Sequence, residues 1–483
     1  MLIFNNVDVA SYFGTLDGMD AFIVNDVFGR GPVTQETTRL TVPGMNGSHL
    51  NGVSVPSRDL GVKISLRSDS LENMRKNVDK LSSLLSTKEE VPIVFEDEPY
   101  RIYFGILDGE STWKEIVYTG QGTIYFTCSN PHKYAPEQTA ILGGQGTIIN
   151  VSGTAKTKPI FELDVTAPTT YVLVSNDKGE YMMIGNPANI EQQPYQKYER
   201  IFYTDATSLV GWANANSGEI DGVVVGTMAT DGNKFEASSF GTGTTWHGPA
   251  IKQSLTEPLT NFQLEAFISF YNGGLPKYVG RDEVYLLDVN GNQICKLAMK
   301  DTQIGRALGF GEARIGTVVD GRYLINEFGD REGVWNDYFG IVRIERNNNK
   351  WTAYFAIVDP DTGKHHTRRD VPEWEDKLNK YGVDATQIVV HFGQYGTYEV
   401  PAHGLYSASV YKINNQPDAI PYIAKAGDKV TFNHQTNELL INGEPVKKLK
   451  DFGGTYFKLQ PGNNKLAILG AGSGTVTFRP AYK

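Results

Sequence analysis

Between Ser70 and Thr87 the apolar residues Leu71, Met74, Val78, Leu81, Leu84 and Leu85 recur at spacings of three, four and one, which gathers them on one helical face. Asp69 or Ser70 supplies the cap. Beyond this helix the apolar pattern shortens to strand length. Residues 91–96, 101–107 and 122–128 read as extended runs, the first two joined by the acidic turn Asp97-Glu98-Pro99. One helix laid on a sheet is a minimal two-layer core. Upstream, residues 2–7, 21–28, 37–42 and 62–66 read as short strands, with a turn at Pro43-Gly44-Met45-Asn46-Gly47. Strands this short leave sheet edges open, and open edges need a partner strand or a cover.

The pattern then changes. Runs at 146–151, 159–165, 171–175 and 180–184, the last two joined by Asn176-Asp177-Lys178-Gly179, stop with too few strands for a sandwich. The missing strands follow Pro417, at 429–433, 438–441, 455–459, 464–469 and 474–479, with turns at Asn442-Gly443 and Pro461-Gly462-Asn463. Between these halves lie runs at 222–227, 262–270, 284–289, 294–299, 339–346, 350–358, 387–393 and 404–413, enough for a jelly-roll sandwich of its own. The expected order is therefore a first domain over 1–135, a sandwich built from 136–197 and 416–483, and an insertion over 198–415.

Composition supports a mainly β chain: 51 glycines, 25 tyrosines and 23 phenylalanines accompany a single clear helix in 483 residues. The net charge of -10, with acids and bases interspersed, offers no basic stripe to a phosphate backbone, which speaks against nucleic-acid binding. Cys128 and Cys295 lie far apart and read as buried free thiols, with neither a disulfide scaffold nor a metal site in view. No apolar run reaches the roughly 18 residues of a membrane span. The opening MLIFNNVDVASYFG lacks a basic n-region and a cleavage site and reads as a strand, so the chain is expected to fold in the cytoplasm that makes it.

The order of pieces carries a resemblance. VFGRGPVTQETTRLTVPGMNGSHL, then the helix ending in paired leucines, EPYRIYFGIL and GTIYFTCSNPHKY resemble the N-terminal domain of distal tail proteins of long-tailed phages infecting Gram-positive bacteria. The C-terminal segment, with its GD strand, NGE turn and LQPGNN, is similar to the galectin-like sandwich of that family. The resemblance implies an α+β belt domain that closes into a hexameric ring. It also implies a place in the virion at the tail tip, and as neighbours the tail tube protein, the tape-measure protein and a tail-tip protein. The insertion resembles concanavalin-like carbohydrate-binding modules by pattern and length alone. Such a module on a ring implies contact with host cell-wall polysaccharide, no cofactor and no catalysis.

Candidate chemistry within the insertion is sparse. Glu219-Ile220-Asp221 matches the E-x-D of laminarinase-type glycosidases, whose second Glu stands three residues further on, where this chain has Val224. Retaining hydrolysis needs two carboxyls about 5 Å apart, and a valine leaves no proton donor. Trp212, Trp246, Trp335 and Trp351 read first as packing, since aromatics dominate sandwich cores. Trp246 and His247 differ because GTGTTWHGPA surrounds them with small and polar residues, so an exposed ring beside a hydrogen-bonding imidazole is expected to face sugar. Trp335, Asn336 and Tyr338 form the next candidate cluster for saccharide. Covering roughly 60 Å² of sugar contributes only on the order of 1.5 kcal/mol, so such a site is useful when repeated around a ring. Asp359-Pro360-Asp361-Thr362-Gly363 lacks the other ligands of a calcium loop and reads as an Asx turn. His365-His366 and Arg368-Arg369 read as a solvated loop.

The sequence thus points to a structural tail-hub subunit carrying a saccharide-binding insertion. Two alternatives stand beside it: a cell-wall polysaccharide hydrolase on a jelly-roll fold, and a stand-alone lectin, which would leave the helix-bearing first domain without a purpose.

Overall fold

The computed structural model describes residues 1–109, 112–116, 119–189 and 192–483. In the first domain the helix runs Leu71–Leu85, with Ser70 Oγ accepting from the Asn73 amide at 3.2 Å and Glu72 paired to Lys76 at 2.7 Å. Met74, Leu81 and Leu85 point into the core, whereas Leu71, expected on the same face, is 56% exposed in the first turn. A second, five-residue helix at Val9–Phe13 escapes the pattern because it is too short for a periodicity. The sheet runs in the order Val7–Asp8, Leu2–Phe4, Val91–Phe95, Tyr103–Leu107, Thr119–Cys128, Arg58–Arg67, Phe22–Phe28, with Thr112–Ile116 also on Thr119–Cys128. Phe4, Phe22, Leu60, Ile64, Phe95 and Phe126 fill its inner face.

Two borders of this domain stay open among the described residues. Phe22–Phe28 pairs only with Arg58–Arg67. Glu36–Leu40 and His49–Ser54 pair only with each other, as a hairpin across the Pro43 to Gly47 turn. That hairpin is exposed at nearly every position and shows Leu40, Leu50 and Val53 to solvent.

The sandwich is assembled from both sides of the long middle segment. Ile160–Asp164 lies between Ser473–Phe478 and Lys429–Asn433, Gln145–Val151 pairs with Gly462–Leu469, and Tyr171–Asn176 pairs with that same strand. Phe161, Val174, Phe432, Leu466 and Val476 interdigitate between the two sheets. Residues 455–459, expected as a strand, contribute only the bridge between Leu459 and Thr157.

The middle segment leaves and re-enters through the parallel pair Pro194–Tyr195 and Ile420–Pro421. Its two sheets stack face to face. One is ordered Thr227–Thr230, Phe235–Ser239, Ala402–Ile413, Phe262–Tyr271, Asp337–Asn347, Lys350–Val358, His365–Glu375. The other is ordered Ala213–Asn214, Ala250–Leu259, Ala385–Tyr395, Gly280–Leu287, Gln293–Asp301, Phe310–Ile315, Arg322–Glu327. Leu264, Phe270, Leu297, Val342, Phe355 and Val390 belong to the shared core. The expected run 222–227 shrinks to Val223–Val224, with Thr227 opening the next strand. Residues 365–369, expected as a solvated loop, open the edge strand His365–Glu375, whose outward face is polar, so it carries no apolar alternation to betray it.

This segment is clamped to the sandwich it interrupts. Both Arg343 terminal nitrogens donate to the two Glu444 oxygens at 2.8 Å, while Arg343 Nε donates to Glu265 at 2.7 Å. Gly443 sits so close that a Cβ there would lie 2.0 Å from the Gly363 carbonyl oxygen, and the His365 amide donates to the Gly443 carbonyl at 3.1 Å. Lys364 with Glu438 and Lys448 with Asp370 flank the contact.

Candidate functional site

Alternation along Gly280–Leu287, Gln293–Asp301, Phe310–Ile315 and Ala385–Tyr395 sends Val284, Leu286, Leu297 and Val390 to the core. It sends Arg281, Glu283, Tyr285, Lys296, Arg314 and His391 to the sheet's other face. There the charges meet as a chain. Lys296 Nζ lies 2.6 Å from Glu283, 3.1 Å from Asp221 and 3.4 Å from Glu312, and Arg314 reaches Asp221 at 2.7 Å. Glu283 also accepts from Tyr285 at 2.6 Å and holds the His391 ring at 2.7 Å. Burial pushes the Glu283 carboxyl up, and Lys296, His391 and Arg281 more than offset it, holding it well below the usual carboxylate range.

Residues 215–224 lie across this face as a plug. Ile220 and Ala215 pack on Tyr285, Leu287 and Val389 in a small second core. Glu219 pairs with Lys252 at 2.6 Å and with the Asn216 amide at 2.7 Å. Burial raises both Glu219 and Asp221, but their cationic partners win, and both sit below their ordinary values. A general acid needs the opposite displacement. These two carboxyls are therefore tied into ion pairs that pin the plug, and Val224 supplies no third.

The candidates expected to touch sugar divide sharply. Trp246 is half-buried; the Arg281 guanidinium stacks 3.7 Å from its ring centroid, and the Tyr395 ring lies 5.2 Å away, followed by Tyr398 at 6.3 Å from Tyr395. His247, its neighbour, points inward and is 1% exposed, with Nδ1 on the Thr245 carbonyl at 2.8 Å. Trp335 and Tyr338 are core residues, 1% and 0% exposed. The Trp335 indole donates to the Thr367 carbonyl, and the Tyr338 hydroxyl is shared between the backbones of Ile341 and Ala356. Asn336 braces the 307–309 backbone, its amide donating to Ala307 and its oxygen accepting from Gly309. His247, Trp335 and Tyr338 are thus buried away from a ligand, and Asn336, half-buried, has both ends of its amide engaged by backbone. Arg281, Tyr395 and Tyr398 join Trp246 instead. The alternating charges of Gly280–Leu287 were the available signal for Arg281; the tyrosines carried none.

Asp359 Oδ1 accepts from the amides of Asp361 and Thr362 at 3.1 and 2.7 Å, an Asx turn. Among the described residues no His, Cys, Asp and Glu side chains gather into a metal-holding group, and no helix is long and apolar enough to cross a membrane. Cys128 and Cys295 are both free and buried.

Comparison with known proteins matches the two ends of the chain. Residues 12–128 match the phage tail protein RIFT-related domain, and residues 396–482 match the C-terminal domain of the siphovirus-type tail component. Both matches are to parts of siphovirus-type tail proteins, and a long segment, residues 129–395, lies between them. The chain is similar to the distal tail protein of Bacillus phage SPP1, 32% identical over 168 residues, covering 35% of this chain and 63% of that protein. This chain therefore spans less than two thirds of that relative's length. The crystal structure of SPP1 Dit, described as a paradigm of hub adsorption apparatus in Gram-positive-infecting phages, is 25% identical. It covers 39% of this chain and 75% of its own, with a TM-score of 0.34. The CBM2 module of the evolved Dit of Lactobacillus casei BL23 phage J-1 is 17% identical, covering 46% of this chain and 98% of its own, with a TM-score of 0.36.

Proposed function

We propose that this chain is a structural subunit of a siphophage tail-tip hub. Residues 1–135 join copies into a closed hexameric ring, 136–197 with 416–483 form the outward sandwich, and 198–415 reach for host cell-wall saccharide. Its neighbours in the virion are then the tail tube, tape-measure and tail-tip proteins. The observation that carries this reading is that one tail-protein match falls on a helix-bearing domain with open borders and the other takes in the second half of a sandwich completed from both sides of an insertion. The role is non-enzymatic. Against a polysaccharide hydrolase stand Val224 and the ion-paired state of Glu219 and Asp221.

Within the insertion, Trp246 with Tyr395, Tyr398 and Arg281 is the surface favoured for sugar. A ring whose one side rests on a guanidinium can present its other edge to the apolar face of a pyranose. Gold-labelled antibody against the insertion should decorate the tail tip of intact virions. Decoration of the head or along the tube would contradict the placement. The fluorescently labelled full chain should bind Gram-positive cell walls, and Trp246→Ala should weaken that labelling several-fold while leaving the protein folded.

A further inference from the structure

The insertion and the sandwich enclose a cleft that neither possesses alone. It measures about 520 Å³, within the roughly 300–1,000 Å³ of small-ligand sites, which favour domain junctions. From the insertion come Tyr198, Gln263, Glu345, Thr352 and Arg368, and from the sandwich comes Lys447. The Arg343–Glu444 clamp lines it as well, so its walls are held apart at a fixed distance by the bidentate pair and by the backbone contact of Gly443 with Gly363.

We propose that this cleft is a second saccharide site, one that takes a neutral, hydroxyl-rich oligosaccharide. The four basic side chains in the lining are matched by four carboxylates, so neither a phosphate nor a cation is preferred. The lining offers both donors (Arg368, Lys447) and acceptors (Glu345, Asp370), and a sugar hydroxyl is both at once. Among the described residues, Gln263, Thr352 and Lys447 make no side-chain hydrogen bond, so three polar groups from both domains stand ready without displacing an existing partner. Tyr198 is already oriented, its hydroxyl donating to Glu345 at 3.0 Å. The class of ligand rests on the saccharide reading above; the location does not, because the cleft lies on the sheet that contains Asp337–Asn347 and Trp246 on the opposite one.

The test is a printed array of neutral, uronic and phosphorylated oligosaccharides probed with the full-length chain and three variants. Trp246→Ala removes the contribution of the surface around that ring, and the other two variants add to it Thr352→Trp, which fills the cleft from the insertion, or Lys447→Glu, which alters it from the sandwich. The cleft predicts neutral spots that remain on the Trp246→Ala chain and fall at least tenfold further when Thr352→Trp or Lys447→Glu is added, thermal midpoints staying near that of the Trp246→Ala chain. Neutral spots that vanish with Trp246→Ala alone, or that survive both additions, would overturn the cleft and leave saccharide binding in place. Spots confined to uronic or phosphorylated sugars, or an array that stays dark while virion tips are still decorated, would overturn the cleft and leave the hub in place.

Discussion

His434 illustrates how one buried side chain sets a pH limit. It lies in the sandwich at 0% exposure, its Nδ1 donating to the Phe457 carbonyl at 2.9 Å, ringed by Phe161, Tyr456 and Phe457. Burial lowers its pKa to about 4. The unfolded chain has an imidazole near 6.5, so below that pH the unfolded state takes up the proton first. Stability present above about 6.5 is lost as the pH falls toward about 4, on the order of 3 kcal/mol in all. The thermal midpoint of the sandwich transition should therefore drop between pH 7 and 4.5, and His434→Gln should flatten that drop; an unchanged slope would contradict this assignment. The tryptophans give the second residue-scale prediction. Trp335→Ala should cost about 3–5 kcal/mol in chemical denaturation, as large-to-small core changes do, whereas Trp246→Ala should cost little. The sequence could not separate them. WNDY and TTWHG are both polar-flanked, and only the strands folding over Trp335, with Thr367 accepting from its indole, put one inside and leave the other at a rim.

At the scale of elements, what was legible follows from how each piece is buried. The Leu71–Leu85 helix announces itself because one face packs and the other is solvated. Phe262–Tyr271, Asp337–Asn347 and Lys350–Val358 are central strands dense in branched and aromatic residues, and they read correctly to within a few positions. Edge strands do not read. His365–Glu375 has one neighbour and a charged outer face, so its pattern resembles a loop until the neighbour is known. The Asn442-Gly443 turn was legible as a turn, with positive φ at both residues, but its second use was not. Gly443 also lets the sandwich touch the insertion backbone. Gly443→Val should unseat the insertion, which X-ray scattering would register as a larger radius of gyration; an unchanged scattering curve would show that the clamp does not depend on that approach. Acid should loosen the same joint. Burial holds the His365 imidazole below its ordinary value, and the Arg343 bonds outweigh burial to hold Glu444 below its own. Docking is therefore complete above about pH 6.5 and weakens as the pH falls, first through histidine protonation and then through the carboxylate.

For the whole molecule, the three bodies divide the work by what each leaves unsatisfied. The sandwich is complete only with strands from both flanks of the insertion, so the insertion leaves and returns at one place, and the clamp then gives it a single orientation. A fixed orientation matters most when copies are arrayed, because weak contacts add only if all can engage together. In the proposed hub, arraying falls to the first domain, where the outer border of Phe22–Phe28 and the exposed Glu36–Leu40 and His49–Ser54 hairpin have no partner within the chain among the described residues. The short strands and glycine turns made those open borders legible; which surfaces close them was not, since a neighbour's face leaves no mark on one sequence. Mass photometry of the purified full chain, followed by electron microscopy, is the direct measurement. The account predicts a closed hexamer with a central channel, lost when the 36–54 hairpin is deleted; a chain that stays monomeric at the highest soluble concentration would contradict it.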